Sequence, residues 1–348
     1  MSDIRIMNVA TAVPEHVVDQ SMVRSIVERV FGERVLDLDR LLRVFEHDHI
    51  HTRYFVRPTD WYERDHGFGE ANAVFAESAL ELSVRAAIDA AADRMSDVQA
   101  IVVVSSTGIM TPSLDAALIQ RLGLASSTRR LPIFGLGCAG GVAGLARAAE
   151  ISRGLGGALV LMIAVEICSV TFRQSDTRKS NIVASSIFGD GAAAVLVGSE
   201  GPGPVIADSH STLFADTHDI MGWDVTDSGL SVRFSRDIPA FVREHVPSVL
   251  DKAFATWGIP RHELRDVVAH PGGSKVLEAY ADATELAAAT FDGARDILRN
   301  YGNMSSASVL FVLEKWLLLD VPRPRYSVMA ALGPGFSSEL LLLLNTDG

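Results

Sequence analysis

The chain has 348 residues, 48% of them hydrophobic and only 7% aromatic, so it can bury a large core and fits neither a disordered nor a fibrous protein. Its net charge of −12 argues against a nucleic-acid groove while leaving room for a local basic patch. Two cysteines, Cys138 and Cys168, cannot build a disulfide scaffold, and the 10 histidines show no metal-ligand spacing in a supporting context, so neither a metal nor a permanently bound cofactor is expected.

In chain order, Ile4 to Val9 reads as an opening strand and not as a signal peptide, because Asp3, Asn8 and Pro14 break its apolar part. Helical spacing follows from Gln20 to Val30 and again from Leu36 to His47, where Arg40, Arg43 and His47 share one face. A solvated face explains these three as well as a phosphate patch does. An irregular aromatic stretch precedes a long helix expected over Asn72–Ala91. Ile101 to Gly108 is a continuous aliphatic run, typical of a parallel strand covered on both faces. The carboxyl ends of such strands face ligand crevices, which makes Ser106 and Thr107 candidate pocket wall, although turn chemistry also favours them.

Leu131 to Leu136 is another strand-like run, and the Ala/Leu pattern after Gly141 is helical, so Cys138 falls at a strand-to-helix turn. A thiol there meets unpaired backbone N–H groups that favour thiolate, yet most free cysteines are inert core residues. Gly137, Gly140 and Gly141 suit either substrate approach to the sulfur or close backbone packing. Ala158 to Val165, a buried strand ending near Glu166, Cys168 and Thr171, is too short to span a bilayer, and a soluble cytoplasmic protein without membrane association is expected. A helical turn to Phe188, a Gly-Asp-Gly turn and a strand from Ala192 to Val197 complete a first unit, 1–204, which the run Gly201-Pro202-Gly203-Pro204 punctuates.

The second unit, 205–348, repeats the order of elements. A strand over Leu230–Phe234 precedes a helix with Pro239 in its first turn, and the strand Asp266–Ala269 then runs into His270 and a glycine turn, with a helix over Ser274–Tyr280. Asn303 stands at another such junction, in YGNMSS, where its first role would be a helix cap. Cys138, His270 and Asn303 together form a set able to activate a thiolate and to stabilise a carbonyl oxygen as charge develops on it.

Six fragments in order carry a resemblance across the whole chain: GLGCAGG around Cys138, VTFRQSD from Val170, FGDGAAAVLVG from Phe188, HPGG from His270, YGNMSSASVLF from Tyr301 and ALGPGFSSE from Ala331. The sequence resembles the type III polyketide synthases of the chalcone and stilbene synthase family. HPGG separates it from the related β-ketoacyl synthase III enzymes, whose histidine motif is usually H-Q-A-N.

The resemblance implies an α/β thiolase fold, duplicated as five α-β-α-β-α layers and assembled as a homodimer. It implies an acyltransferase in which Cys138 holds a starter acyl group as a thioester, malonyl-CoA loses carbon dioxide, and His270 and Asn303 bind the thioester oxygen. His270 would also pair with the Cys138 thiolate at rest. Phe188 matches a gatekeeper, though a core aromatic is the plainer reading. Arg40, Arg43 and His47 match the positions that hold coenzyme A phosphates. Gly333, Pro334 and Gly335 match a loop shaping the cyclisation pocket, and Ser305 is counted with the pocket wall.

Departures bear on the product. Val232 stands at the second gatekeeper position, Cys168 and Thr171 line the strand end, and Thr111 replaces a methionine that plant members extend across the dimer interface. These features and the Trp61–Asn72 segment favour a fatty or other aliphatic starter and a pyrone or resorcinol-type product. An alternative joins two β-ketoacyl chains carried by an acyl carrier protein into an α-pyrone. A non-catalytic thiolase-fold partner protein is disfavoured by the intact Cys138, His270 and Asn303.

Overall fold

The computed structural model describes residues 2–47 and 49–345, the side chain of His47 excepted. One sheet contains nine strands: β1 (Arg5–Ala12), β2 (Val98–Val104), β3 (Arg129–Ile133), β4 (Leu159–Ile167), β5 (Asp190–Gly198), β6 (Val205–Leu213), β7 (Val267–Ala269), β8 (Tyr326–Gly333) and β9 (Ser337–Leu344). Their spatial order is β7-β8-β9-β6-β1-β5-β4-β2-β3. β1 and β5, and β5 and β4, run antiparallel, while β4, β2 and β3 run parallel. The other half repeats this pattern: β6 with β9 and β9 with β8 antiparallel, β8 with β7 parallel. The halves meet at β1 and β6, through Arg5 opposite Val205.

Helices complete the repeat. α1 (Gln20–Phe31), α2 (Leu38–Leu42) and α3 (Val44–His47) precede α4 (Phe68–Ala91), and α5 (Gly140–Gly154) joins β3 to β4. α6 (Lys179–Ile187) leads into β5, and α7 (Ile238–Trp257), α8 (Ser274–Thr284) and α9 (Ser308–Leu318) belong to the second half. α5 touches strands of both halves and packs on α9, whereas α4 covers the outer face of one half and α7 lies against α8 and strands of the other. These are the duplicated layers of a thiolase fold, and the order of elements read from sequence reappears as strand pairing. β4 and β5 are buried over their whole length, which is why their sequences are continuous apolar runs instead of alternating ones.

Three expectations need correction. The helix over Leu36–His47 is two short ones broken at Arg43, and Asp37 just before them sits at φ 60. The long helix begins at Phe68, four residues before the expected Asn72. The stretch read as irregular contains a strand, Thr52–Phe55, paired with His16–Asp19. Among the described residues no helix is long and apolar enough to cross a membrane, and no group of side chains could hold a metal ion.

Candidate active site

Cys138 lies in a single helical turn, Gly137–Ala139, immediately before α5. Close packing dictates the glycines here. A Cβ on Gly141 would stand 2.3 Å from the Ser306 carbonyl oxygen, so the start of α5 can abut the segment before α9 only without a side chain. Gly137 adopts φ 46, and a Cβ there would meet the Pro334 ring at 2.8 Å. Its N–H donates to Ser106 Oγ at 3.1 Å. The loop Gly333-Pro334-Gly335 therefore supports the cysteine turn from below.

His270 follows β7, anchored by its N–H to the Ala330 carbonyl at 2.8 Å. Asn303 is fixed by backbone bonds on both sides of Phe188: its N–H donates to Ile187 O at 2.7 Å, and the Gly189 N–H donates to Asn303 O at 3.1 Å. Asn303 Oδ1 accepts from the Ser305 N–H at 2.8 Å, two residues on, although the residue stands one position before the N-cap of that turn and not at a cap itself. Its Nδ2 is left to face the histidine turn, where it donates to Gly272 O at 3.3 Å. Ser305, held at φ 47, points its hydroxyl at Cys138, and Sγ donates to Ser305 Oγ at 3.8 Å.

Cys138, His270 and Asn303 open onto one cleft of about 540 Å³. Its apolar lining includes Val183, Ile187, Met221, Ile238 and Leu332, and its cationic side chains are Arg40, Arg43, Arg236 and Lys275, all exposed. Arg236 lies 3.8 Å from its neighbour Asp237 and is almost wholly solvated. An acidic chain thus concentrates four cations at a single opening, an arrangement suited to a phosphate-bearing ligand. Arg40 and Arg43 were readable as candidates, whereas Arg236 and Lys275, distant in sequence, had no local signal. The side chain of His47, the third expected phosphate contact, lies outside the described residues.

Burial governs the electrostatics at the base of the cleft. It pushes the Cys138 thiol up to about 12, against opposing hydrogen bonds from Ser305 and Asn303, and it drives the His270 imidazole down to about 3. Among the described residues both ring nitrogens of His270 lack a hydrogen-bond partner, Cys138 included. Burial thus works against the resting thiolate–imidazolium pair that the resemblance implies. Desolvation of a fully buried sulfur outweighs the favourable end of α5.

The remaining expected pocket residues divide. Phe188, Val232, Cys168 and Thr171 converge, but on a separate apolar pocket of about 40 Å³ that α1 closes with Val23, Ile26 and Val27. Phe188 sits between the two spaces, its ring 5.5 Å from that of Phe234 on the cleft side. Ser106 and Thr107 line neither space: the Ser106 N–H and Thr107 Oγ1 both donate to Glu166 Oε2 at 2.9 Å. Thr111 is exposed on the surface and does not reach the cleft of its own chain.

Glu166, the one acid in the apolar run of β4, is visible at the strand end in the sequence but is given no role there. Ser306 Oγ donates to its other oxygen at 2.6 Å, so the carboxylate ties the turns bearing Ser106 and Ser306 together. Burial raises its pKa from 4.5 to about 7. The folded protein therefore holds this proton more tightly than the unfolded chain, and the associated stability is present below pH 4.5 and lost as pH rises to about 7. Glu166→Gln should remove from the stability–pH curve a decline on the order of 3 kcal/mol, read from urea melts at pH 5 and pH 7.5. An unchanged slope would contradict the assignment. His270 titrates in the opposite sense but is common to both proteins.

Comparison with known proteins agrees with this geometry. Residues 2–202 match the family model for the N-terminal domain of chalcone and stilbene synthases, and residues 206–346 match the model for their C-terminal domain. A Bacillus subtilis (strain 168) protein provisionally named a chalcone synthase is 39% identical over 97% of each chain. The 1,3,6,8-tetrahydroxynaphthalene synthase of Streptomyces peucetius subsp. caesius is 38% identical over 96% of this chain and 91% of its own. Among solved structures, the tetrahydroxynaphthalene synthase of Streptomyces coelicolor A3(2) superposes with a TM-score of 0.93 at 28% identity, covering 99% of this chain and 100% of that one. CsyB complexed with CoA-SH gives 0.90 at 26%, over 98% and 100%. Two family models that between them match nearly the whole chain, and relatives this similar over their full length, place it in the chalcone and stilbene synthase family, the type III polyketide synthases.

Proposed function

We propose that this condensing enzyme joins malonyl-CoA, with loss of carbon dioxide, to an acyl group held as a thioester on Cys138, and that the extended chain then cyclises. The observation that carries this reading is the convergence of Cys138, His270 and Asn303 on a cleft whose opening gathers Arg40, Arg43, Arg236 and Lys275. The four cations suit the phosphates of coenzyme A, which CsyB binds as CoA-SH. The nucleophile belongs to residues 1–204, and its two partners to residues 205–348.

In the loading step Cys138 Sγ attacks the starter thioester carbonyl, its proton passes to the neutral His270 imidazole, and the coenzyme A sulfur leaves with that proton. In the second step the C–CO₂ bond of the malonyl group breaks and its electron pair moves into the thioester, generating an enolate. His270 N–H and Asn303 Nδ2 donate to the enolate oxygen, where the charge develops. The enolate carbon then attacks the Cys138 thioester, the C–S bond breaks, and a β-ketoacyl-CoA is released for another round.

The starter is aliphatic in this reading. Val232 in place of a second aromatic gate, and the apolar lining behind Phe188, support it. Two copies would associate through the exposed edge strand β3, beside which Phe134 is 60% and Ile109 45% exposed. The cationic opening would equally receive an acidic acyl carrier protein, the alternative source of acyl groups.

A panel of acyl-CoA starters of increasing chain length, each with malonyl-CoA, should give pyrone or resorcinol masses that track an aliphatic starter. A 38% identical relative is named for a tetrahydroxynaphthalene product, so one arm supplies malonyl-CoA alone. A naphthalene product in that arm, or preference for an aromatic starter, would sink the aliphatic proposal. Turnover with carrier-bound substrates only would favour the alternative.

A further inference from the structure

Tyr280, in the second half of α8, lines the same cleft as Cys138, His270 and Asn303. It is 2% exposed, and its hydroxyl makes no hydrogen bond within the described residues. The ring is held by a stack on Phe291, with centroids 6.5 Å apart. An orphaned buried hydroxyl destabilises a fold, and phenylalanine would fill the same space without that cost. Residues that break a local rule in this way cluster where a ligand completes the bonding.

We propose that the Tyr280 hydroxyl is a substrate-binding donor, aimed at the 3-keto oxygen of a β-ketoacyl group in the cleft. This rests on the condensing function proposed above. His270 and Asn303 provide donors for the thioester oxygen, but after one condensation the acyl group carries a second carbonyl two carbons further along. That oxygen needs a donor of its own in a water-poor cleft. Tyr280 shares the lining of the cleft with Cys138, and burial holds its hydroxyl protonated through the working pH range, so it donates to a ketone and never repels an enolate as an anion would.

Tyr280→Phe isolates the hydroxyl. The direct test is binding in the Cys138→Ala background, where no acyl transfer occurs, with acetoacetyl-CoA and butyryl-CoA as probes that differ in the 3-keto oxygen. Adding Tyr280→Phe should weaken acetoacetyl-CoA about tenfold and leave butyryl-CoA within twofold. In the otherwise parental enzyme the same substitution should leave Cys138 acylation intact and shift products towards those of a single condensation. The melting temperature should not fall, because an unpaired polar group has been removed. Equal loss of both probes, no loss of either, or a lowered melting temperature with lost acylation would each overturn the proposal, the last by showing a structural hydroxyl. The probe pair reads this outcome even if the parent fails to decarboxylate malonyl-CoA, a result that would instead remove the condensing function.

Discussion

Cys138→Ala is expected to abolish acyl-enzyme formation and to lower condensation by at least about 10⁴-fold, with the fold intact. Alanine fits the turn, since Gly137 and Gly141 on either side bear the close contacts and the Cys138 side chain loses no more than its interactions with Ser305 and Asn303. No other thiol can substitute. Cys168, the second cysteine, is 2% exposed, opens onto the separate pocket behind Phe188, and burial beside Glu166 and Asp190 pushes its thiol well above the usual range. Intact-protein mass after incubation with an acyl-CoA, alongside turnover, reads both effects. Retained acylation in the alanine variant would remove Cys138 from the mechanism.

Asn303→Ala should separate the two half-reactions. In the proposed mechanism its Nδ2 donates to the enolate oxygen and takes no part in the thiol attack, so loading should persist while malonyl-CoA decarboxylation falls about 10²–10³-fold. Part of the effect could come from the backbone, because Asn303 Oδ1 also accepts from the Ser305 N–H at 2.8 Å. Asn303→Asp keeps an acceptor there but removes the amide donor, and it should be as defective as alanine in decarboxylation. His270→Ala should impair both half-reactions, since its imidazole is asked to take the thiol proton and to donate to the enolate. Equal loss of loading and decarboxylation in Asn303→Ala would place the asparagine in the structure of the site and not in the chemistry.

The parts of the fold that were legible are those whose signal is local. β4 and β5 could be read within a few residues because a strand covered on both faces must be apolar throughout. The break at Arg43 was hidden because the apolar spacing continues across α2 and α3 while the backbone does not. The Thr52–Phe55 strand was missed because it is short and pairs with a segment remote in sequence. At the site, Cys138, His270 and Asn303 stand out because each stands at a glycine-marked junction. Tyr280 carries no such mark. On the helix pattern it is one more apolar residue, and only the absence of a partner for its hydroxyl in three dimensions singles it out. The direction of Ser106 and Thr107 was equally unreadable, because the carboxylate that turns them inward lies sixty residues away on β4.

The most direct measurement is peptide mapping of the parent enzyme after a short incubation with an acyl-CoA, followed by a chase with malonyl-CoA. The adduct should sit on the peptide containing Cys138 and disappear in the chase as carbon dioxide and an extended product form together. An adduct on Cys168, or one on Cys138 that malonyl-CoA leaves in place, would contradict the assignment of Cys138 as the thioester-bearing residue of a decarboxylative condensation.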